Sequence, residues 1–93
     1  MKAVVSVHKR SAYAYLNGHT FTVKSIYNST VILDVNGVHT SFSFSEVFIV
    51  DIQKEMQNAF NDYNFYGNTT FFKLNTYCEK KGYKVDVINN CPA

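Results

Sequence analysis

The chain offers little overt chemistry. Its 93 residues include no tryptophan, one proline, four glycines and two cysteines. Cys78 and Cys91 lack metal-ligand spacing. In a reducing compartment both are expected to be free thiols, Cys78 as a small core residue. A disulfide tying the tail to the last helix is the other reading. No Ser or Cys stands in a recognisable nucleophile motif, so no catalytic residue, metal or cofactor is expected and the chain is not read as an enzyme. No apolar run approaches the roughly 18 residues of a membrane span. The opening Met-Lys-Ala-Val-Val-Ser-Val is too short for a signal-peptide core, and Lys9 and Arg10 follow it, so a cytoplasmic protein is expected. Without a secretory signal, the acceptor patterns Asn28-Ser29-Thr30 and Asn68-Thr69-Thr70 read as coincidence.

Charge is also sparse. Charged residues make up 17% of the chain, below the usual ~25%, and Asn, Ser and Thr take over much of the polar surface. The net charge of +2 is too small to name a nucleic-acid partner. Its distribution says more: Lys2, Lys9 and Arg10 lie near the start, Lys73, Lys80, Lys81 and Lys84 near the end, with Asp51, Glu55 and Asp62 between them.

What the chain does have is aromatic mass and alternation. Eight Phe and seven Tyr supply a core in large pieces, each able to bury roughly 150–250 Å². A chain this short buries only about 60–70% of its unfolded surface. The strongest local signal is a β-hairpin. Val31, Leu33 and Val35 alternate up to Asn36-Gly37, and Val38, Thr40, Phe42 and Phe44 alternate away from it. Asn-Gly suits the two positive φ angles of a type I′ turn. The turn predicts a register in which Val35 faces Val38, Leu33 faces Thr40, Val31 faces Phe42 and His39 faces Asp34. Strands are also predicted over Ala3 to His8 and over Thr20 to Tyr27. In the latter, Phe21, Val23, Ser25 and Tyr27 are expected on one face.

Residues 45–52 admit two readings. In the favoured one, a turn at Ser45-Glu46 leads to a short strand over Phe48 to Ile52 and a helix from Gln53 to Tyr63. In the other, Ser43-x-x-Glu46 is the capping box of one helix running from Ser45 to Tyr63. A second helix, capped by Thr69 or Thr70, carries Phe71, Leu74, Tyr77 and Cys78 inward and ends at Gly82. Lys80 and Lys81 fill its last turn. Tyr83 to Ile88 alternates and reads as a final strand. The expectation is therefore one α+β domain: a five-stranded antiparallel barrel or meander over 2–52, then helix, helix and strand over 53–93.

Five short strands, a long loop after the first and a single turn between the fourth and fifth together resemble a Src-homology-3-like small barrel over about residues 2–52. Phe42-Ser43-Phe44-Ser45-Glu46-Val47-Phe48-Ile49-Val50-Asp51 is similar to the fourth strand, turn and fifth strand of such barrels. Ala12-Tyr13-Ala14-Tyr15 resembles the Ala-x-Tyr-x-Tyr loop of the peptide-binding members. The chain departs from them in having no tryptophan, which leaves the aromatic wall used against proline-rich ligands incomplete. The glycine pattern of ribosomal and transcription-factor barrels is also absent. In its small size and its richness in Asn, Tyr and Phe, the chain resembles early proteins of large tailed bacteriophages. That resemblance implies a small regulatory protein acting on a host or phage macromolecule in the host cytoplasm.

Two binding surfaces follow. Lys9, Arg10, Tyr13 and Tyr15 interleave bases with aromatics in one loop, which suits phosphate contact with base stacking. Lys80, Lys81 and Lys84 would extend that surface. The plainer alternative folds both tyrosines back over the barrel mouth. The second surface, for a protein partner, is an aromatic patch at Phe65 and Tyr66 with an acidic helix stripe of Asp51, Glu55 and Asp62. The stripe is equally a solvated helix face. Homodimerisation through the aromatic patch is a third outcome. Asp34 and His39 read as a cross-strand polar pair rather than an acid–base dyad.

Overall fold

A computed structural model describes residues 1–67 and 69–88, apart from the side chains of Phe65 and Tyr66. The chain divides into two units, Met1–Val50 and Asp51–Ala93.

The first unit is a single antiparallel sheet. Its strands are β1 (Lys2–Val5), β2 (Thr20–Tyr27), β3 (Thr30–Val35), β4 (Val38–Ser43) and β5 (Val47–Ile49). The order is β4-β3-β2-β1-β5, so the chain meanders through four strands and then returns to pair β5 with β1. The sheet is open, with β4 and β5 as its edges. A closed barrel is therefore not what forms; the five strands are present, but β1 stops at Val5 instead of reaching His8, because from Ser6 the chain turns into the loop.

The β3–β4 hairpin has the expected register, Val35↔Val38, Leu33↔Thr40, Val31↔Phe42 and Asp34↔His39. Its turn places Asn36 at φ 53° and Gly37 at φ 88°, the left-handed pair that a two-residue turn needs to match strand twist. Asp34 Oδ1 accepts from Gly37 N at 2.7 Å and holds the turn from inside the hairpin.

β2 departs from simple alternation. Val23 pairs with Leu33 and Ser25 with Ile32, so Lys24 is the extra residue of a β-bulge. An added residue shifts the two-residue period by one. Val23 and Ile26 therefore share the face of Leu33 and Val31. Ile26 is 4% exposed and Tyr27 is 66% exposed. The expectation that Ser25 and Tyr27 continue the face of Val23 is thus corrected by the bulge. Ala3, Val5, Val7, Leu16, Val31, Leu33, Val35, Phe42, Phe44, Val47 and Ile49 complete the buried set of this unit.

Between β4 and β5, Phe44–Glu46 forms one turn of 3₁₀ helix. Ser43 and Glu46 make a capping box there, with Ser43 N donating to Glu46 Oε1 at 2.9 Å. The box caps a single turn and not the long helix it also suggested. β5 follows directly and is shorter than the expected strand.

The second unit holds two helices, α1 (Ile52–Tyr66) and α2 (Thr70–Lys81). Met56 and Ala59 are the buried residues of α1, and Leu74, Tyr77 and Cys78 those of α2. Phe60 meets Phe71 edge to face at 5.2 Å between centroids. Thr69 stands at the N-cap of α2, yet its side chain makes no capping bond. Gly82 (φ 76°) closes α2, and Tyr83 N donates to Cys78 O at 2.9 Å across it. That six-to-one bond needs a left-handed residue, which glycine adopts without a Cβ penalty.

Residues 83–88 form no strand. They alternate half-buried (Tyr83, Val85, Val87) and exposed (Lys84, Asp86, Ile88) as an extended chain should, but they join no sheet. Side-chain amides of α1 take the place of a partner strand: Gln57 bonds to Ile88 and Gln53 to Asp86. Alternation here signals extended backbone correctly, and the strand it suggests is corrected because no second strand pairs with it. Cys91 lies outside the described residues.

Candidate nucleic-acid interface

The loop from residue 6 to residue 19 is a succession of tight turns closed at its base. Val5 N donates to His19 O (3.1 Å) and Gly18 N donates to Val5 O (2.9 Å). One step outward, Asn17 bonds both backbone groups of Val7: its Oδ1 accepts from Val7 N at 2.7 Å and its Nδ2 donates to Val7 O at 3.0 Å. An amide is the one neutral side chain that can pair with a peptide in this reciprocal way. Ser11 N then bonds to His8 O, Ala14 N to Ser11 O, and Leu16 N to Tyr13 O. Buried Val7 and Leu16 anchor the two arms.

The loop treats its two tyrosines differently. Tyr13 lies edge-on to the buried Phe42, with centroids 5.3 Å apart and 64° between planes. Tyr15, in the 3₁₀ turn Ala14–Leu16, is 72% exposed. Tyr13 combines that contact with 40% exposure, so it braces the loop and still reaches solvent, and Tyr15 is the more exposed of the two. Lys9 and Arg10 are exposed at the start of the same loop, and His8 and His19 are exposed at its two ends. No acidic residue precedes Asp34 in the chain. The first unit has four basic residues (Lys2, Lys9, Arg10, Lys24) against two acidic ones (Asp34, Glu46), whereas the second has five of each. The net positive charge therefore belongs to the unit that carries the loop. Two sequence-adjacent cations and an exposed ring on one loop are the groups that phosphate contact and base stacking use.

The remaining predicted cations belong to the second unit. Lys80 and Lys81 end α2, and Lys84 is exposed beyond Gly82. Lys81 Nζ lies 5.8 Å from the centroid of the buried Tyr77 ring, and its desolvation lowers the ammonium pKa below the ordinary lysine value. Its side chain is thus partly committed to covering Tyr77.

Of the protein-partner residues, Asp51 adopts a left-handed conformation (φ 53°) just before α1, and Glu55 is half-buried in its first turn. Asp62 is exposed further along, and Lys54 interrupts the acidic character of the stripe. The side chains of Phe65 and Tyr66 lie outside the described part. In the two helices, Tyr63 at 39% and Phe72 at 49% are exposed, although the sequence does not single them out. They meet edge to face at 4.8 Å. Their positions at consecutive helix ends are legible in the sequence, but which rings turn outward depends on how α1 and α2 pack.

Asp34 and His39 are opposite one another, as predicted. The Asp34 carboxylate is engaged by Gly37 N and lies 4.0 Å from Lys24 Nζ. Among the described residues no cluster of His, Cys, Asp or Glu is arranged to hold a metal ion, and no helix is long and apolar enough to cross a membrane. No protein-family model, curated protein or solved structure matches this chain.

Proposed function

We propose that this protein is a non-catalytic binding module that takes single-stranded nucleic acid on the loop between β1 and β2. One observation carries this: Tyr15 stands 72% exposed on a closed, hydrogen-bonded loop whose other exposed groups include Lys9 and Arg10. Tyr15 supplies the stacking face, Lys9 and Arg10 contact phosphates, and Tyr13 holds the loop through Phe42. The strand order, with one 3₁₀ turn before β5, supports treating the sheet as a small-barrel relative of the Src-homology-3 type. Small size and Asn/Tyr/Phe richness support a regulatory role of the bacteriophage kind, in the host cytoplasm.

The test is an NMR titration of the whole protein with short single-stranded RNA and DNA. Shifts concentrated at residues 8–19 support the assignment. Shifts confined to the second unit, or none at low salt, overturn it. The exposed Tyr63–Phe72 pair favours a second reading, a protein-binding aromatic patch. Binding there would depend weakly on salt and be lost with Phe72→Ala.

A further inference from the structure

The second unit contains an arrangement that the loop does not involve. Gln57 pairs with Ile88 as one strand residue pairs with another: its Oε1 accepts from Ile88 N at 2.7 Å and its Nε2 donates to Ile88 O at 2.9 Å. The second Nε2 hydrogen goes to Asn61 Oδ1 at 3.0 Å, which fixes the amide's orientation. One turn earlier, Gln53 Nε2 donates to Asp86 O. The spacing has a physical basis. Four helix residues advance about 6.0 Å, and two residues of extended chain advance about 6.6 Å. Amides at i and i+4 of a helix therefore match backbone groups at j and j+2 of an extended segment. An open cleft of about 560 Å³ runs beside this contact, lined by Asp51, Lys54 and Asn58 together with Asp86 and Ile88.

The geometry points to a binding site for extended polypeptide on α1, read by Gln53 and Gln57 and occupied in cis by residues 86–88. Its ligand in trans is an extended peptide of the same pattern, with half-buried apolar residues alternating with exposed ones, as Val85 and Val87 alternate with Asp86 and Ile88. The resident bonds are solvent-exposed, and Ile88 is itself 69% exposed, so the segment is held by a few replaceable contacts. Short tethers give high effective concentration, so the cis segment masks the site against a free peptide until it is released.

The test uses the full chain and a capped peptide with the sequence of residues 83–88, at millimolar concentration, with the Gln53 and Gln57 side-chain amide NMR signals as readout. Ile88→Pro removes the N–H that Gln57 accepts and should release the site. The peptide is expected to bind this variant at least about fivefold more tightly than the wild type, because the tethered competitor is gone. Adding Gln57→Leu should abolish the response while helix content by circular dichroism stays unchanged. Equal peptide binding with and without Gln57→Leu would overturn the proposal. So would the absence of any shift at either glutamine in the folded Ile88→Pro chain.

Discussion

Tyr13 sets its ring edge-on to Phe42 at 5.3 Å, and this contact fixes the loop that leaves Tyr15 in solvent. Two tyrosines separated by one alanine thus have different work, and substitution separates them. Tyr15→Ala should leave stability within about 0.5 kcal/mol of wild type, as surface changes usually do. It should weaken single-strand binding by about 1–3 kcal/mol, the worth of one stacked base. Tyr13→Ala should do more to the fold. An edge-to-face pair is worth about 0.5–1.5 kcal/mol beyond the area it buries, so urea denaturation should show a clear loss of stability.

The Asn17 amide closes the loop by pairing with both backbone groups of Val7. Asn17→Ala leaves those part-buried groups without partners, at a cost of about 1–3 kcal/mol. Hydrogen exchange should show the Val7 amide losing protection, while Leu33 and Val31 in the hairpin keep theirs.

How far the structure is legible in the sequence differs from element to element. The hairpin is legible to the residue, because Asn36-Gly37 specifies both turn type and register. The bulge at Lys24 is not, since an alternation template carries no signal for an inserted residue, and it puts Ser25 and Tyr27 on the wrong face as a result. Residues 83–88 are recognisable as extended, but nothing local tells an extended segment whether its partner is a strand or two glutamines on a helix. The loop's cations and rings are legible as a group. The division between Tyr13 and Tyr15 requires knowing that Phe42 lies within reach of one of them.

Gly37 is the residue on which the hairpin turn depends. A Cβ there would meet nothing within 4 Å, so the cost of Gly37→Ala is conformational rather than steric. At φ 88° that cost is about 1–2 kcal/mol, measurable as a lower urea midpoint with an unchanged m-value.

Burial raises the Cys78 thiol above its ordinary pKa, so the folded state favours the neutral form. The stabilisation this brings is complete below the unfolded thiol's pKa and is lost as pH rises through the folded value. Lys81 acts in the opposite sense at alkaline pH. Its lowered pKa means the unfolded chain holds that proton more tightly, and stability recovers as both forms become neutral. With the two opposed, thiol reactivity is the cleaner measurement. Cys78 should react with a thiol reagent far more slowly than an unfolded control at pH ~8, and the difference should vanish in denaturant.

The proposed hold of Lys9, Arg10 and Tyr15 on single-stranded nucleic acid makes binding sensitive to salt, because each neutralised phosphate releases counterions. Affinity for a labelled single-stranded oligonucleotide should fall linearly with the logarithm of salt concentration when both are plotted as logarithms. Lys9→Ala combined with Arg10→Ala should reduce that slope by about 1.4, at about 0.7 for each phosphate no longer neutralised. An unchanged slope in the double variant, or no binding by the wild type at low salt, would contradict it.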